Sequence, residues 1–247
     1  MVVGAFVGLA SGYLGSLMVL RKMSLVGDAL SHVALPGLAV GLLWNVNPFF
    51  GAFGALFLAI ILIWLVENRT KLPTETLVGI FFTLSLAIGL IITPEPELLE
   101  ALFGDISQTV PLEAVLAVIF SAIAIAAVHK IYGRLVLGTM SNDLASSVGI
   151  KTKKIDFIFL LIVALIVALG IKIVGTLLMG ALVIIPAAAA KNLSRNLTAY
   201  AGLSALFGLI SAAGGVYLAS LLNFSPGPIV VLTSAAIFFL SLIFKKS

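Results

Sequence analysis

The sequence predicts an all-α, polytopic membrane protein, a single transmembrane domain over residues 1–247, and three observations carry that reading. First, 62% of the residues are hydrophobic and 10% are charged, against roughly 25% charged in ordinary soluble domains. Second, the apolar runs have helix length and lack the ten-residue alternation of barrel strands, so helices must satisfy the backbone in lipid. Third, lysine and arginine recur at alternate ends of those runs, as cytoplasmic loops require.

Windows of roughly 20 apolar residues place spans near Val2–Leu20, Met23–Trp44, Phe49–Val66, Thr76–Thr93 and Pro111–Val128. Four more follow at Ile155–Gly170, Ile173–Ala190, Leu197–Leu222 and Ile229–Phe244. The sixth and seventh are short and tightly joined, so the total stands at about eight or nine. The first run lacks a basic leader and a small-residue cleavage site, and it reads as a retained span. Its glycines at 4, 8 and 12 share one face, the spacing that lets helices approach closely in lipid.

With the Arg21/Lys22 turn inside, alternation also puts Arg69, Lys71, Lys130, Arg134, Lys151, Lys153, Lys154, Lys191, Arg195, Lys245 and Lys246 inside, and Lys172 alone outside. Glu95, Glu97, Glu100, Asp105 and Glu113 fall on the outer face. The net charge of +4 therefore reports topology and not nucleic-acid binding. The protein has no cysteine, which excludes disulfides, thiolate metal ligands and a cysteine nucleophile. No G-x-x-x-x-G-K-[ST] phosphate loop occurs, so ATP would have to be handled elsewhere.

Chemistry concentrates in RKMSLVGDALSHVALPG. Asp28 and His32 lie one helical turn apart on the second span, project from nearly one face, and are able to grip one ion together. Ionisable groups inside a span are costly there and usually face a cavity or pathway. Counted from Met23 at 1.5 Å per residue, His32 lies about 14 Å deep, where transported ions are held. Pro36 lacks the N–H that would close onto the His32 carbonyl, and it marks a helix break beside the pair. The blander alternative is that Asp28 caps the helix start and His32 hydrogen-bonds a neighbouring helix.

Two ligands are fewer than a divalent ion wants. A homodimer with both pairs on its axis would supply two carboxylates and two imidazoles, a set that suits zinc, manganese or ferrous iron. Binding needs ionised Asp28 and neutral His32, so it weakens in acid.

The inner connection His129–Lys154 contains SNDLASSVGI, which predicts a short helix of its own, within a segment of about 139–152. Ser141 or Asn142 caps it, Asp143 favours its first turn, Leu144 and Val148 share a face, and Gly149 ends it. Such a helix either docks in a groove on a cytoplasmic partner or lies on the membrane surface. Outside, PEPELLEALFGD predicts an interfacial helix, and His129 beside Lys130 reads as an interfacial side chain.

The stretch GYLGSLMVLRKMSLVGDALSHVALPGLAVG, followed in order by LFGDIS, NDLASSVGI and KIVGTLLMGALVIIPAAAA, resembles the permease subunits of zinc and manganese ABC importers through most of the chain. The resemblance implies a multi-pass protein of the prokaryotic cytoplasmic membrane, not itself an enzyme, that works as a homodimer. It also implies an extracellular or periplasmic metal-binding protein that feeds it and two cytoplasmic ATPase subunits that drive it. It carries no catalytic cofactor; the divalent metal is cargo. By motif position Asp28 and His32 fall on the family's metal ligands. Asn142, Asp143, Leu144, Ala145, Val148 and Gly149 fall on its ATPase-coupling region. Competing readings are a permease for a metal chelate, which needs a roomier cavity, and a secondary transporter in which the pair relays protons. An intramembrane hydrolase would need a second histidine ligand or a general-base glutamate inside a span, and neither is present.

Overall fold

A computed structural model describes residues 1–44, 46–70, 72–93, 102, 111–176 and 178–244, with the side chains of 111, 172 and 173 left aside. Helix α1 spans Val2–Leu20, α2 Ser24–Val33, α3 Leu35–Leu43, α4 Pro48–Thr70 and α5 Thr74–Ile92. Helix α6 spans Pro111–Met140, α7 Asn142–Ser147 and α8 Thr152–Val174. Helix α9 spans Met179–Leu193, α10 Leu197–Leu222 and α11 Pro226–Ile243. Among the described residues there is no strand.

Among the described residues, eight stretches are long and apolar enough to cross a membrane, counting α2 and α3 as one broken span, and α9 is a shorter apolar helix. The open choice between eight and nine therefore resolves as eight long helices plus one short one. A glycine causes the shortness: Gly175 has φ 78° and ψ 169°, which stops α8, and α9 resumes only at Met179 instead of Ile173.

One boundary corrects the sequence reading. Helix α6 does not end at Val128 but runs on to Met140, about 45 Å at the α-helical rise. Gly133 and Gly138 do not stop it, and the remaining residues include no proline. The residues from His129 to Met140 are thus helix, and the inner connection shrinks to the segment around α7. The expected interfacial helix over 94–105 lies outside the described residues apart from Leu102, as do Lys71, Lys245 and Lys246.

At the α1–α2 turn the amide of Met23 reaches the Met18 carbonyl at 2.8 Å, and Lys22 adopts φ 59° to close it. Each polar side-chain contact between helix ends joins residues that charge alternation puts on the same side. At the outer end Asn47 donates to Glu113 at 2.6 Å. At the inner end Thr74 donates to Glu67 at 2.8 Å, Lys153 to Asn68 at 3.1 Å, and Asn192 to Ser241 at 2.9 Å. There, too, Arg21 pairs with Asp156 at 2.7 Å and lies over the Phe159 ring.

Helix α1 sits at the centre, packed by α10, α9, α6 and α8. Its glycine face works as its spacing predicts. A Cβ at Gly8 would overlap the Gly208 carbonyl, one at Gly12 the Ser204 carbonyl, and one at Gly15 the Val183 carbonyl. Ser204 donates its hydroxyl to the Gly12 carbonyl across the same contact. Helices α4 and α5 lie at the rim, where Ile80, Leu84, Ile88 and Ile91 are exposed along one side of α5, the composition lipid requires.

Candidate metal site

Helix α2 begins at Ser24 with Met23 at its N-cap and no side-chain cap. Asp28 is therefore past the first turn and is not a capping residue. The proline-induced break falls at Ala34, between α2 and α3, with Pro36 in the first turn of α3. Deprived of a donor four residues on, the His32 carbonyl accepts the Ala34 amide.

His32 is 8% exposed. Its ring packs edge-on to Phe82 of α5, centroids 5.3 Å apart, and its Nδ1 is buried without a hydrogen-bond partner among the described residues. The helix-to-helix hydrogen bond that a purely structural histidine would make at this atom is absent there. A buried polar atom without a partner costs about 1–3 kcal/mol.

The other flank of α2 meets α9 and the turn that precedes it. Asp28 lies against Gly180, where any Cβ would overlap the aspartate side chain. The carboxylate thus faces the first turn of α9, whose open amides favour negative charge. Ser31, between the two ligands in sequence, has its hydroxyl 2.6 Å from the Asp28 carbonyl and 2.6 Å from the Thr176 carbonyl. Counted down α9 from Gly180 to Leu193, Asp28 lies about 20 Å above that helix's inner end.

Asp28 and His32 sit one turn apart on α2, and among the described residues no third histidine, cysteine, aspartate or glutamate joins them. A carboxylate oxygen and an imidazole nitrogen accept zinc, manganese or ferrous iron, and are poorly suited to cuprous copper. Sequence reasoning missed Phe82, Ser31, Thr176 and Gly180. Only the glycine carried a signal, as a small residue in KIVGTLLMG.

The inner segment folds as expected into its own helix, α7. The Ser141 hydroxyl accepts the Leu144 amide at 3.2 Å, which chooses Ser141 over Asn142 as the cap, and Gly149 ends the segment with φ 77°. Ala145 is buried toward α6 and α8, whereas Leu144 and Val148 are 59% and 64% exposed. Asn142, Asp143 and Gly149 are exposed as well. His129 meets the Tyr13 hydroxyl at 3.2 Å, away from the Asp28/His32 pair.

Comparison with known proteins agrees with this architecture. The ABC 3 transport family model matches residues 1–245. The high-affinity zinc uptake system membrane protein ZnuB of Haemophilus influenzae is 36% identical over 249 residues, covering 98% of this chain and 95% of that protein. The manganese transport system membrane protein MntC of Listeria monocytogenes is 31% identical over 242 residues, covering 96% and 86%. The structure of PsaBC from Streptococcus pneumoniae in complex with Fab superposes with a TM-score of 0.85 at 27% identity, covering 98% of this chain and 88% of that one. With its helical bundle, its aspartate–histidine pair one turn apart on α2 and these relatives over nearly its whole length, the chain belongs to the ABC 3 transport family, a family of metal-importer permeases.

Proposed function

We propose that the chain is the membrane-spanning permease of an ATP-driven importer that moves a divalent metal ion across the cytoplasmic membrane by alternating access. The observation that carries this reading is the intramembrane pair itself. Among the described residues His32 keeps a buried nitrogen free of hydrogen bonds one turn from the Asp28 carboxylate, an arrangement costly in lipid unless a cation completes it. The relatives named for zinc and manganese transport support a bare ion as cargo.

Two side chains leave an ion under-coordinated, so a second copy of the chain is the source of further ligands in this proposal. A solute-binding protein outside delivers the ion. The apolar face of α7, Leu144 and Val148, exposed on the cytoplasmic side, docks one ATPase subunit per permease, with Asn142, Asp143 and Gly149 shaping the contact and buried Ala145 seating α7 against α6 and α8. Nucleotide binding then shifts the dimer between outward- and inward-open states around the fixed ion site.

The test is zinc and manganese uptake by the complex reconstituted in liposomes, comparing wild type with Asp28→Ala and His32→Ala. Each substitution is expected to abolish uptake while the ATPase still assembles. Wild-type uptake by either variant would overturn the assignment.

A further inference from the structure

Between α8 and α9, Gly175, Thr176 and Leu178 lie outside regular helix at the level of Asp28 and Ser31. The register of this joint shows the level: Gly180, in the first turn of α9, lies against Asp28, and the Thr176 carbonyl lies 2.6 Å from the hydroxyl of Ser31. Irregular backbone at membrane depth survives only where protein buries it or where it lines a cavity. Here it is held between helices that both pack on α1 and α2. Thr176 is fully buried and its hydroxyl has no hydrogen-bond partner among the described residues, so the structure keeps a polar atom unsatisfied on the Ser31 side of Asp28. On the α2 wheel, Ser31 and His32 flank Asp28 on opposite sides. The Ser31 side abuts the α8–α9 joint, and the His32 side abuts Phe82 of α5.

We propose that the Gly175–Thr176 turn is the third wall of the ion site and that Thr176 supplies it with an oxygen ligand, tilting a site of one carboxylate and one imidazole toward manganese over zinc. The inference rests on the assignment of Asp28 and His32 as ion ligands. Its chemistry is the preference of harder cations such as manganese for oxygen, where zinc is well served by imidazole. Gly175 is required at the bend because its φ of 78° is one that side-chain-bearing residues rarely adopt. Ser31 fixes the turn to α2 through the hydroxyl it shares between the carbonyls of Asp28 and Thr176.

The experiment measures manganese and zinc uptake, each ion supplied alone, by the reconstituted permease–ATPase complex carrying Thr176→Val, Thr176→Ala, Thr176→Ser or Asp28→Ala. Removing the hydroxyl should raise the half-saturating manganese concentration about tenfold, at the low end of the loss seen when groups around a metal are removed. Zinc should change by less than about threefold, and Thr176→Ser should restore wild-type manganese behaviour. A purely structural hydroxyl predicts otherwise, since replacing a buried partnerless group by a methyl is neutral or stabilising. Unchanged manganese uptake in both Thr176→Val and Thr176→Ala overturns the proposal, as does an equal loss for both metals that serine fails to restore. Wild-type uptake by Asp28→Ala overturns the ion site and this inference together. Loss in Asp28→Ala beside unchanged Thr176 variants overturns the role of the turn alone.

Discussion

Gly180→Ala places a methyl group where the structure has room for none. The new carbon would stand 2.8 Å from the Asp28 Cα, where ordinary van der Waals contact begins near 3.4 Å, and it would overlap the Asp28 side chain more severely. A backbone Cα has no rotamer by which to escape. Helix α2 or α9 must therefore shift by roughly 0.6–1 Å, set against a tolerance of about 0.2 Å in metal–ligand distance. Such a displacement of one ligand is expected to raise the half-saturating metal concentration about 10–100-fold, equivalent to about 1.4–2.7 kcal/mol of lost ion binding. The assay is concentration-dependent metal uptake by the reconstituted complex, with Gly202→Ala as control, because a Cβ there meets nothing within 4 Å. The control should transport normally and gain slight stability from its better helix propensity. Wild-type metal affinity in Gly180→Ala would refute the claim that α9 holds Asp28 in place.

Three further outcomes follow from the same packing and chemistry. Gly12→Ala drives a methyl into the Ser204 backbone carbonyl; it should destabilise the α1–α10 contact by about 1–3 kcal/mol and lower the thermal midpoint in detergent by several degrees, whereas Gly79→Ala, with open space, should not. Leu144→Asp alters an exposed side chain, so the permease should keep its thermal midpoint but lose co-purification with its ATPase subunit; retained co-purification would remove α7 from the docking surface. Lowering pH from about 7.5 to about 5.5 protonates an ordinary imidazole. A protonated ring has no lone pair for a metal, so ion binding is present at the higher pH and fades as pH falls, and a flat profile of half-saturating concentration would contradict ligation by His32.

Much of the fold was legible because lipid allows so few solutions. A run such as Leu197–Leu222 coincides with its helix to the residue, since nothing but a helix satisfies that backbone in hydrocarbon. Legibility failed where helices leave or interrupt the bilayer. Helix α6 outlasts its apolar window because polarity at Lys130 and Arg134 ends the membrane signal without ending helix propensity. The start of α9 slipped from Ile173 to Met179 because hydropathy does not register the backbone conformation of Gly175. Within the site, Asp28 and His32 stood out because charge is rare in a span. Ser31, Thr176 and Phe82 did not, because serine, threonine and phenylalanine are ordinary membrane residues until a fold sets them against an ionisable neighbour.

The manner in which α2 is held bears on its chemistry. Hydrogen bonding to neighbouring side chains would have consumed the atoms a cation needs. Instead, small residues position the helix: Gly15 brings α1 onto the Val183 carbonyl, and Gly180 receives Asp28. Beyond the break at Ala34, Gly37 and Gly51 meet each other's carbonyls and fix α3 against α4. Close backbone packing is the attraction available in lipid, where apolar burial between helices gains little. It constrains α2 without touching the His32 Nδ1, which stays buried and free of hydrogen bonds. A soluble protein would more readily orient a ligating histidine by a hydrogen bond from its second ring nitrogen. In this bundle, glycine packing and the edge of Phe82 hold α2 and the His32 ring instead, so the metal binding proposed for His32 should respond more to added methyl groups at these contacts than to changes in nearby hydroxyls that bond only to backbone.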